Sequence, residues 1–318
     1  MKFLLASRAF ASLRRAMASR RRVIAAILVV AALCVGLFMF IVLLNNDVPE
    51  PVSTGPVLTK QPVPEHKIVG SSVEGREIGA YTYGSGETRL VFIGGIHGGY
   101  EWNSVLLAYE FMDYFDANPG AISENLSVTV IPSANPDGVY KIIGKEGRFK
   151  IEDVLVNKSE APGRFNAHKV DLNRNFDCKW KPKSMWREET VSGGTEPFSE
   201  PETKAIRDFV LENKPEAVIF WHSQSNAVYA SKCEAGILPE TTDIMKAYSR
   251  ASGYPAVNSF DAYEITGDAE GWLASIGVPA ITVELQTHKT IEWERNLAGV
   301  KALFEYYGPE KEKEGLAQ

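Results

Sequence analysis

Four side chains in the sequence are of the types that hydrolytic metal chemistry uses. His97 and Glu101 stand four positions apart in "VFIGGIHGGYEWNS" (91–104), His222 ends "AVIFWHSQ", and Glu284 ends "AITVELQ". The chain holds only five histidines, so two of them at the ends of apolar runs that also deliver carboxylates form a concentrated signal. Zinc in a hydrolytic site takes three protein ligands, often two histidines and one carboxylate, and leaves the fourth position for water. His97 and Glu101 supply a close pair from one loop, and His222 closes the site from a distant strand. One anionic ligand leaves the metal with net positive charge, able to acidify its water and polarise a carbonyl. A carboxylate that does not bind the metal must then take the water's proton and pass it to the leaving group; Glu284 is the candidate. Taken singly, each residue also has a structural reading. A histidine after a strand can be a hydrogen-bonded structural residue, Glu101 a helix N-terminal carboxylate stabilised by the dipole, and "SANPDG" with Asn135 and Asp137 an ordinary turn.

The elements that must position these groups alternate. Strand-like runs "RLVFIGG", "SVTVIPS", "EAVIFW" and "PAITVEL" are separated by helix-like stretches "NSVLLAYEFMDYFDAN", "SEPETKAIRDFVLEN", "TDIMKAYSRAS" and "TIEWERNLAGVKALFEYY". Ser199 with Glu202 three residues on reads as a capping box at the start of the second of these helices. The pattern predicts a single α/β domain over residues 66–307, with a mixed, largely parallel central sheet flanked by helices. In open α/β sheets the ligand crevice lies at the carboxyl ends of the strands, which is where His97, Asn135, Asp137, His222 and Glu284 fall.

Composition sets the frame: 318 residues, 45% hydrophobic and 23% charged, suit one large globular domain. Residues 1–22 carry seven basic side chains and no acidic one, and 23–44 is an uncharged run of 22 residues, long enough to cross a bilayer as a helix and too long for the apolar core of a cleaved signal peptide. This reads as a transmembrane signal anchor with a cytoplasmic N-terminus, placing the rest outside the cytoplasm, in a periplasm or at the cell surface. Residues 45–65 contain five prolines and read as a stiff linker, and 308–318 as a charged, flexible tail. Without the seven N-terminal cations the chain has 27 basic and 40 acidic residues, a net charge of −13, which argues against a nucleic-acid partner. Cys34 falls in the apolar run, and Cys178 and Cys233 are two cysteines without a spacing signature that a compartment outside the cytoplasm would allow to pair.

The ordered set "GGIHGGYEW", "NPDG", "VDLNRNF" (170–176), "PFSEPET" (197–203), "FWHSQ" (220–224) and "VPAITVELQ" (278–286) resembles zinc carboxypeptidases of the carboxypeptidase A type over residues 66–307. The domain is also similar to murein peptide amidases of that family. The resemblance implies one Zn²⁺ ion held by His97, Glu101 and His222, with Glu284 as general base. It implies that Asp171 orients the first histidine. Asn173 and Arg174 would grip the substrate's terminal carboxylate. Arg164 would stabilise the oxyanion, and Tyr263 would close over bound substrate. Glu270 falls near the specificity pocket, where it either favours a basic side chain or is a solvated helix residue. The implied substrates are the C-terminal residues of peptides or a cell-wall peptide in which diaminopimelate supplies the free carboxylate.

One departure stands out. The family's first motif places two residues between histidine and glutamate, whereas "HGGYE" places three. Two glycines make the loop pliable enough to absorb the extra residue, and Glu101 is the one acidic residue between Glu87 and Glu110. Two other classes stay open: an N-acyl amino acid deacylase of the aspartoacylase type, and a non-catalytic binding module on a zinc fold.

Overall fold

The computed structural model describes residues 30–41, 63–154 and 160–309, together with Arg20. The chain divides into two compact units, residues 1–59 and 60–318. In the first, residues 30–41 are helical and turn their apolar side chains outward, Phe38 being 69% exposed. Among the described residues no helix is long and apolar enough to cross a membrane. Most of the basic N-terminus, both ends of the expected span (23–29 and 42–44), the linker to residue 62 and the tail from 310 lie outside the described residues.

The second unit is built on an eight-stranded mixed sheet in the order β1-β2-β4-β3-β7-β10-β8-β9. Its strands are β1 (Glu65–Ser71), β2 (Glu77–Gly84), β3 (Thr88–Ile93), β4 (Leu126–Ile131), β7 (Ala217–Ser223), β8 (Ala227–Ala230), β9 (Ala256–Val257) and β10 (Ala280–Leu285). A separate hairpin pairs β5 (Lys183–Trp186) with β6 (Glu189–Ser192). The helices are α1 (Trp102–Ala117), α2 (Pro136–Ile143), α3 (Pro201–Asn213), α4 (Pro239–Ser252), α5 (Ala269–Ser275) and α6 (Trp293–Tyr307).

The sheet is parallel through its centre, β4-β3-β7-β10, and between β8 and β9. It is antiparallel where β1 meets β2, β2 meets β4, and β10 meets β8. The four strands legible in the sequence are the four central ones, buried on both faces and therefore continuously apolar. The flanking strands were not legible, because they are short or, like β1, solvent-facing with no apolar run.

Alternate residues of each central strand enter different cores. Leu90, Phe92, Ile219, Trp221, Ile281 and Val283 pack in one, against α1, α4 and α6. Val91, Ile93, Val218, Phe220 and Ala280 pack in the other, against α3 and α5. Continuing the two-residue period past Phe220 and Ala280 puts His222, Thr282 and Glu284 on the second face, at the carboxyl ends of β7 and β10. Their register makes Glu284 the direct neighbour of His222. Trp221, on the opposite face, stacks on Phe111 at 5.0 Å and on Phe92 at 5.2 Å, which fixes the strand end from behind.

The expected capping box at α3 does not form. Pro201 occupies the first turn and the N-cap Glu200 makes no side-chain cap. Ser199 Oγ donates instead to Glu200, while Glu202 accepts from Val73 N and Asn166 Nδ2.

Cys178 and Cys233 are joined in a disulfide, with Cα atoms 6.1 Å apart and a sequence separation of 55. It ties the loop after β4 and α2, which carries Asn173 and Arg174, to the segment after β8. A loop of that length corresponds to about 4 kcal/mol in the chain-entropy model. Replacing both cysteines by serine is expected to cost about 2–4 kcal/mol of stability, read as a lowered midpoint in thermal or urea unfolding; an unchanged midpoint counts against the bond as a stabilising staple.

Candidate metal centre and active-site cleft

His97 and Glu101 owe their placement to glycine. β3 runs into Gly94 and Gly95, whose carbonyls accept from Ala134 and Asn135 N–H at 3.0 Å each, so this loop and the one after β4 are laced together. The chain then makes a 3₁₀ turn over Gly98–Glu101. Gly98 has φ +49°, and a Cβ there would lie 2.5 Å from Gly163 O and 2.8 Å from Gly138 Cα. Backbone thus packs on backbone, in a conformation other residues adopt at a cost. The turn brings positions i and i+4 to the same side, which is how "HGGYE" accommodates three intervening residues. Glu101 is formally the N-cap of α1 but makes no cap hydrogen bond; its carboxylate turns to the histidines.

The three side chains converge with less than a tenth of their surface exposed. His97 Nδ1 lies 2.8 Å from Glu101 Oε1 and 3.2 Å from His222 Nδ1, and His222 Nδ1 lies 3.1 Å from Glu101 Oε2. Burial alone would raise the Glu101 pKa, but the two imidazoles hold it well below the usual carboxylate range. Burial would lower that of His222, but Glu101 and then Glu270 push it well up.

Glu101 Oε2 is buried and makes no hydrogen bond, although His222 Nδ1 is within reach; the distance suits one and the angle does not. Two Nδ1 atoms and a carboxylate aimed at a common region are what a cation satisfies. Ligands about 2.0–2.2 Å from a tetrahedral zinc lie about 3.3–3.5 Å from one another, and the observed separations of 2.8–3.2 Å are close to that. Among the described residues this trio is the one metal-holding group of three or more histidine, cysteine, aspartate or glutamate side chains.

Around the trio stands a polar frame. Asp171 Oδ2 accepts from Arg164 Nε at 2.9 Å and Nη2 at 2.8 Å, and Asp171 Oδ1 lies 3.5 Å from His97 Nε2, a near approach rather than a closed hydrogen bond. Against its burial, Arg164 first and His97 next hold the Asp171 carboxyl well below its ordinary range. Arg164 also stacks 4.7 Å over Trp186, and its Nη1 is 3.9 Å from Glu101. Arg174 spends three of its five N–H groups on backbone carbonyls, one on Asn173 and two on Met185, and two remain. Asn173 accepts from Ala269 N at 2.8 Å.

Of the nine residues to which the family resemblance gives a role, all but Asp171 line one cleft of about 280 Å³, and Glu270 lines it too. Tyr263 lies in a loop segment on its wall, edge-on to Phe260 at 4.9 Å. Glu284 opens partly to the cleft, and Ser225 N–H donates to its Oε2 at 3.2 Å. Protein surrounds the carboxylate closely enough that burial, with the Glu101 charge second, pushes its pKa up to about 7. A general base near that value is matched to neutral operation.

Asn135 and Asp137 do not reach the cleft. Asn135 caps α2, accepting from Gly138 N at 2.9 Å, and donates to Arg164 O at 3.2 Å. Asp137 accepts from Ser72 Oγ, Glu74 N and Arg76 Nη1. Three participants carried no sequence signal. Asn103 Nδ2 donates to Thr287 O and Thr290 O, so its oxygen accepts from Ser223 Oγ. Ser223 has one hydroxyl proton, so the 2.7 Å bond to His288 is donated by His288 Nδ1; burial pushes the His288 pKa down and favours that neutral form. This relay anchors the residue after His222. Glu270, left between specificity and solvent by its sequence position, is 4% exposed and bonds to His222.

The fold and the trio define a metal-dependent hydrolase cleft at the carboxyl edge of a mixed α/β sheet. The chain belongs to the zinc carboxypeptidase family, Peptidase_M14, whose model matches residues 60–312. It is 25% identical over 264 residues to gamma-D-glutamyl-L-diamino acid endopeptidase 1 of Lysinibacillus sphaericus, covering 76% of this chain and 64% of that protein. The chain spans less than two thirds of the length of the curated relatives it matches. Among solved structures, thrombin activatable fibrinolysis inhibitor superposes with a TM-score of 0.63 at 20% identity, over 77% of this chain and 69% of that one. Murein-tripeptide amidase from Escherichia coli O157 superposes with a TM-score of 0.56 at 22% identity, over 78% and 94%. Both share the α/β fold with mixed central sheet.

Gly98→Ala tests the turn. The added methyl must displace Gly163 or Gly138, so the variant should lose at least about 1 kcal/mol of stability, with reduced zinc content after purification by atomic emission; a variant with full zinc and an unchanged melting curve would show that the turn tolerates a side chain.

Proposed function

We propose that the protein is a membrane-anchored zinc metallocarboxypeptidase whose catalytic domain faces out of the cytoplasm and hydrolyses an amide bond next to a free carboxylate. The observation that carries this reading is the convergence of His97, Glu101 and His222 in one cleft with Glu284 and the two arginines Arg164 and Arg174. His97, Glu101 and His222 would hold the zinc ion, which would supply a Lewis acid for the scissile carbonyl and for a water. Glu284 takes the proton of the attacking water and delivers it to the leaving nitrogen. Arg174, with its two uncommitted N–H groups, and Asn173 hold the substrate's terminal carboxylate. Arg164, fixed by Asp171, presents Nη1 to the developing oxyanion. Tyr263 covers the bound residue and excludes water.

A cell-wall peptide, in which a diamino acid supplies the free carboxylate, is the second substrate reading. Supporting it are the similarity to the gamma-D-glutamyl-L-diamino acid endopeptidase and to murein peptide amidase A of Escherichia coli K12, 28% identical over 131 residues. The outward location draws support from the basic N-terminus followed by an apolar run, from the exposed apolar side chains of residues 30–41, and from the disulfide, a bond of oxidising compartments.

The full chain would be incubated with free-ended peptides, C-terminally amidated peptides and muropeptides, and the products followed by mass spectrometry. A metal chelator should abolish cleavage and added zinc restore it. Glu284→Gln should reduce turnover by about 10²–10⁴-fold while the protein keeps its zinc. Loss of single residues from free-ended peptides establishes the carboxypeptidase, and cleavage confined to muropeptides the wall amidase. Glu284-independent cleavage, or none in the whole pool, would overturn the reading in favour of a deacylase or a binding module.

A further inference from the structure

We infer that Glu270 is a positioning residue for the metal ligand His222: it holds the Nε2–H of that imidazole so that the Nδ1 lone pair is presented to the metal, the part the family resemblance gives Asp171 toward His97. The inference rests on the zinc reading above. His222 Nε2 lies 3.1 Å from Glu270 Oε1, on the far side of the ring from Glu101 and His97. Thr282 Oγ1 donates to the same oxygen at 2.9 Å. Thr282 sits two residues before Glu284 on β10, on the face that carries His222 in β7. A histidine that ligates through one nitrogen is oriented, and its tautomer chosen, by the hydrogen bond its other nitrogen makes. Glu270 is the group in contact with that second nitrogen.

The backbone around Glu270 is fixed to match. Asp268 caps α5 by accepting from Gly271 N at 2.7 Å, and Ala269 N donates to Asn173 Oδ1 at 2.8 Å. Asn173 N in turn donates to Asp171 Oδ1 at 3.2 Å. One connected line therefore runs from Asp171 through Asn173 to Ala269, Glu270 and His222, with His97 Nε2 3.5 Å from Asp171 at its start. The carboxylates that address the outer nitrogens of the two histidines belong to one hydrogen-bonded unit, so the two imidazoles are aimed together. Both donors engage Oε1, so the competing role, an acidic floor that selects a cationic substrate side chain, would fall to Oε2.

The test is zinc affinity of the full chain, measured on metal-free protein by competition with a chromogenic chelator, for wild type, Glu270→Ala, Glu270→Gln and Thr282→Val. Glu270→Ala should bind zinc about 10–100-fold more weakly, and the visible absorption of its cobalt-substituted form should shift. Glu270→Gln keeps an oxygen that accepts from Nε2–H and should recover most of the loss. Thr282→Val leaves the carboxylate in place but loosened and should fall between them; it also carries the test if Glu270→Ala fails to fold. Zinc affinity and cobalt spectrum unchanged in the variants, with only a raised KM for substrates bearing a cationic side chain, would overturn the inference and assign Glu270 to specificity. Wild-type protein that takes up no zinc would instead sink the metal reading itself, and this with it.

Discussion

A carboxylate buried between two imidazoles is the constraint on which this structure turns. Glu101 is 3% exposed, in a place where an unpaired charge would be strongly disfavoured. It is kept ionised by His97 and His222, and they are kept in place by it and by carboxylates behind them. Such an arrangement is stable only if every member is held, since a half-satisfied buried network is worse than an apolar core. The surrounding fold reads as the means of holding each one.

Three kinds of support do this. A glycine turn pressed backbone to backbone against Gly138 and Gly163 holds His97 and Glu101 at the required angle. Strand register holds His222 beside Glu284, with Trp221 clamped between aromatic rings on the opposite face. The 171–174 segment and the first turn of α5, linked through Asn173 and Ala269, bring in Asp171 and Glu270. The first of these supports depends on close backbone approach, where a single added methyl changes the geometry.

The same rigidity separates Glu101 from Glu284 by environment. Glu101 lies between two imidazoles and stays charged; Glu284 faces the cleft, and burial, with the Glu101 charge second, raises its pKa to about 7. One carboxylate is thereby suited to hold a metal and the other to carry a proton, a division set by surroundings and not by residue type.

Much was legible in the sequence because it rests on local pattern. The four central strands are continuous apolar runs, His97, His222 and Glu284 sit at their ends, and the alternation of strand and helix leaves few architectures to choose from. The flanking strands β1, β2, β8 and β9 were not legible, since β1 and β2 carry no continuous apolar run and β8 and β9 are short, and β8 takes its neighbours from segments well beyond it in sequence. Nor were α2, hidden behind what reads as a turn at "NPDG", or the failed capping box, where Glu202 is drawn off by Val73 and Asn166. The sequence by itself determined which chemistry was available: two histidines, two glutamates and the arginines at one sheet edge. Only the tertiary structure decided how each would be used, turning Asn135 and Asp137 into scaffold and Glu270 toward His222. It also joined Cys178 to Cys233. A residue's type and its place on a strand follow from short-range periodicity, whereas the partner of a buried polar atom is chosen by segments far beyond that range in the chain.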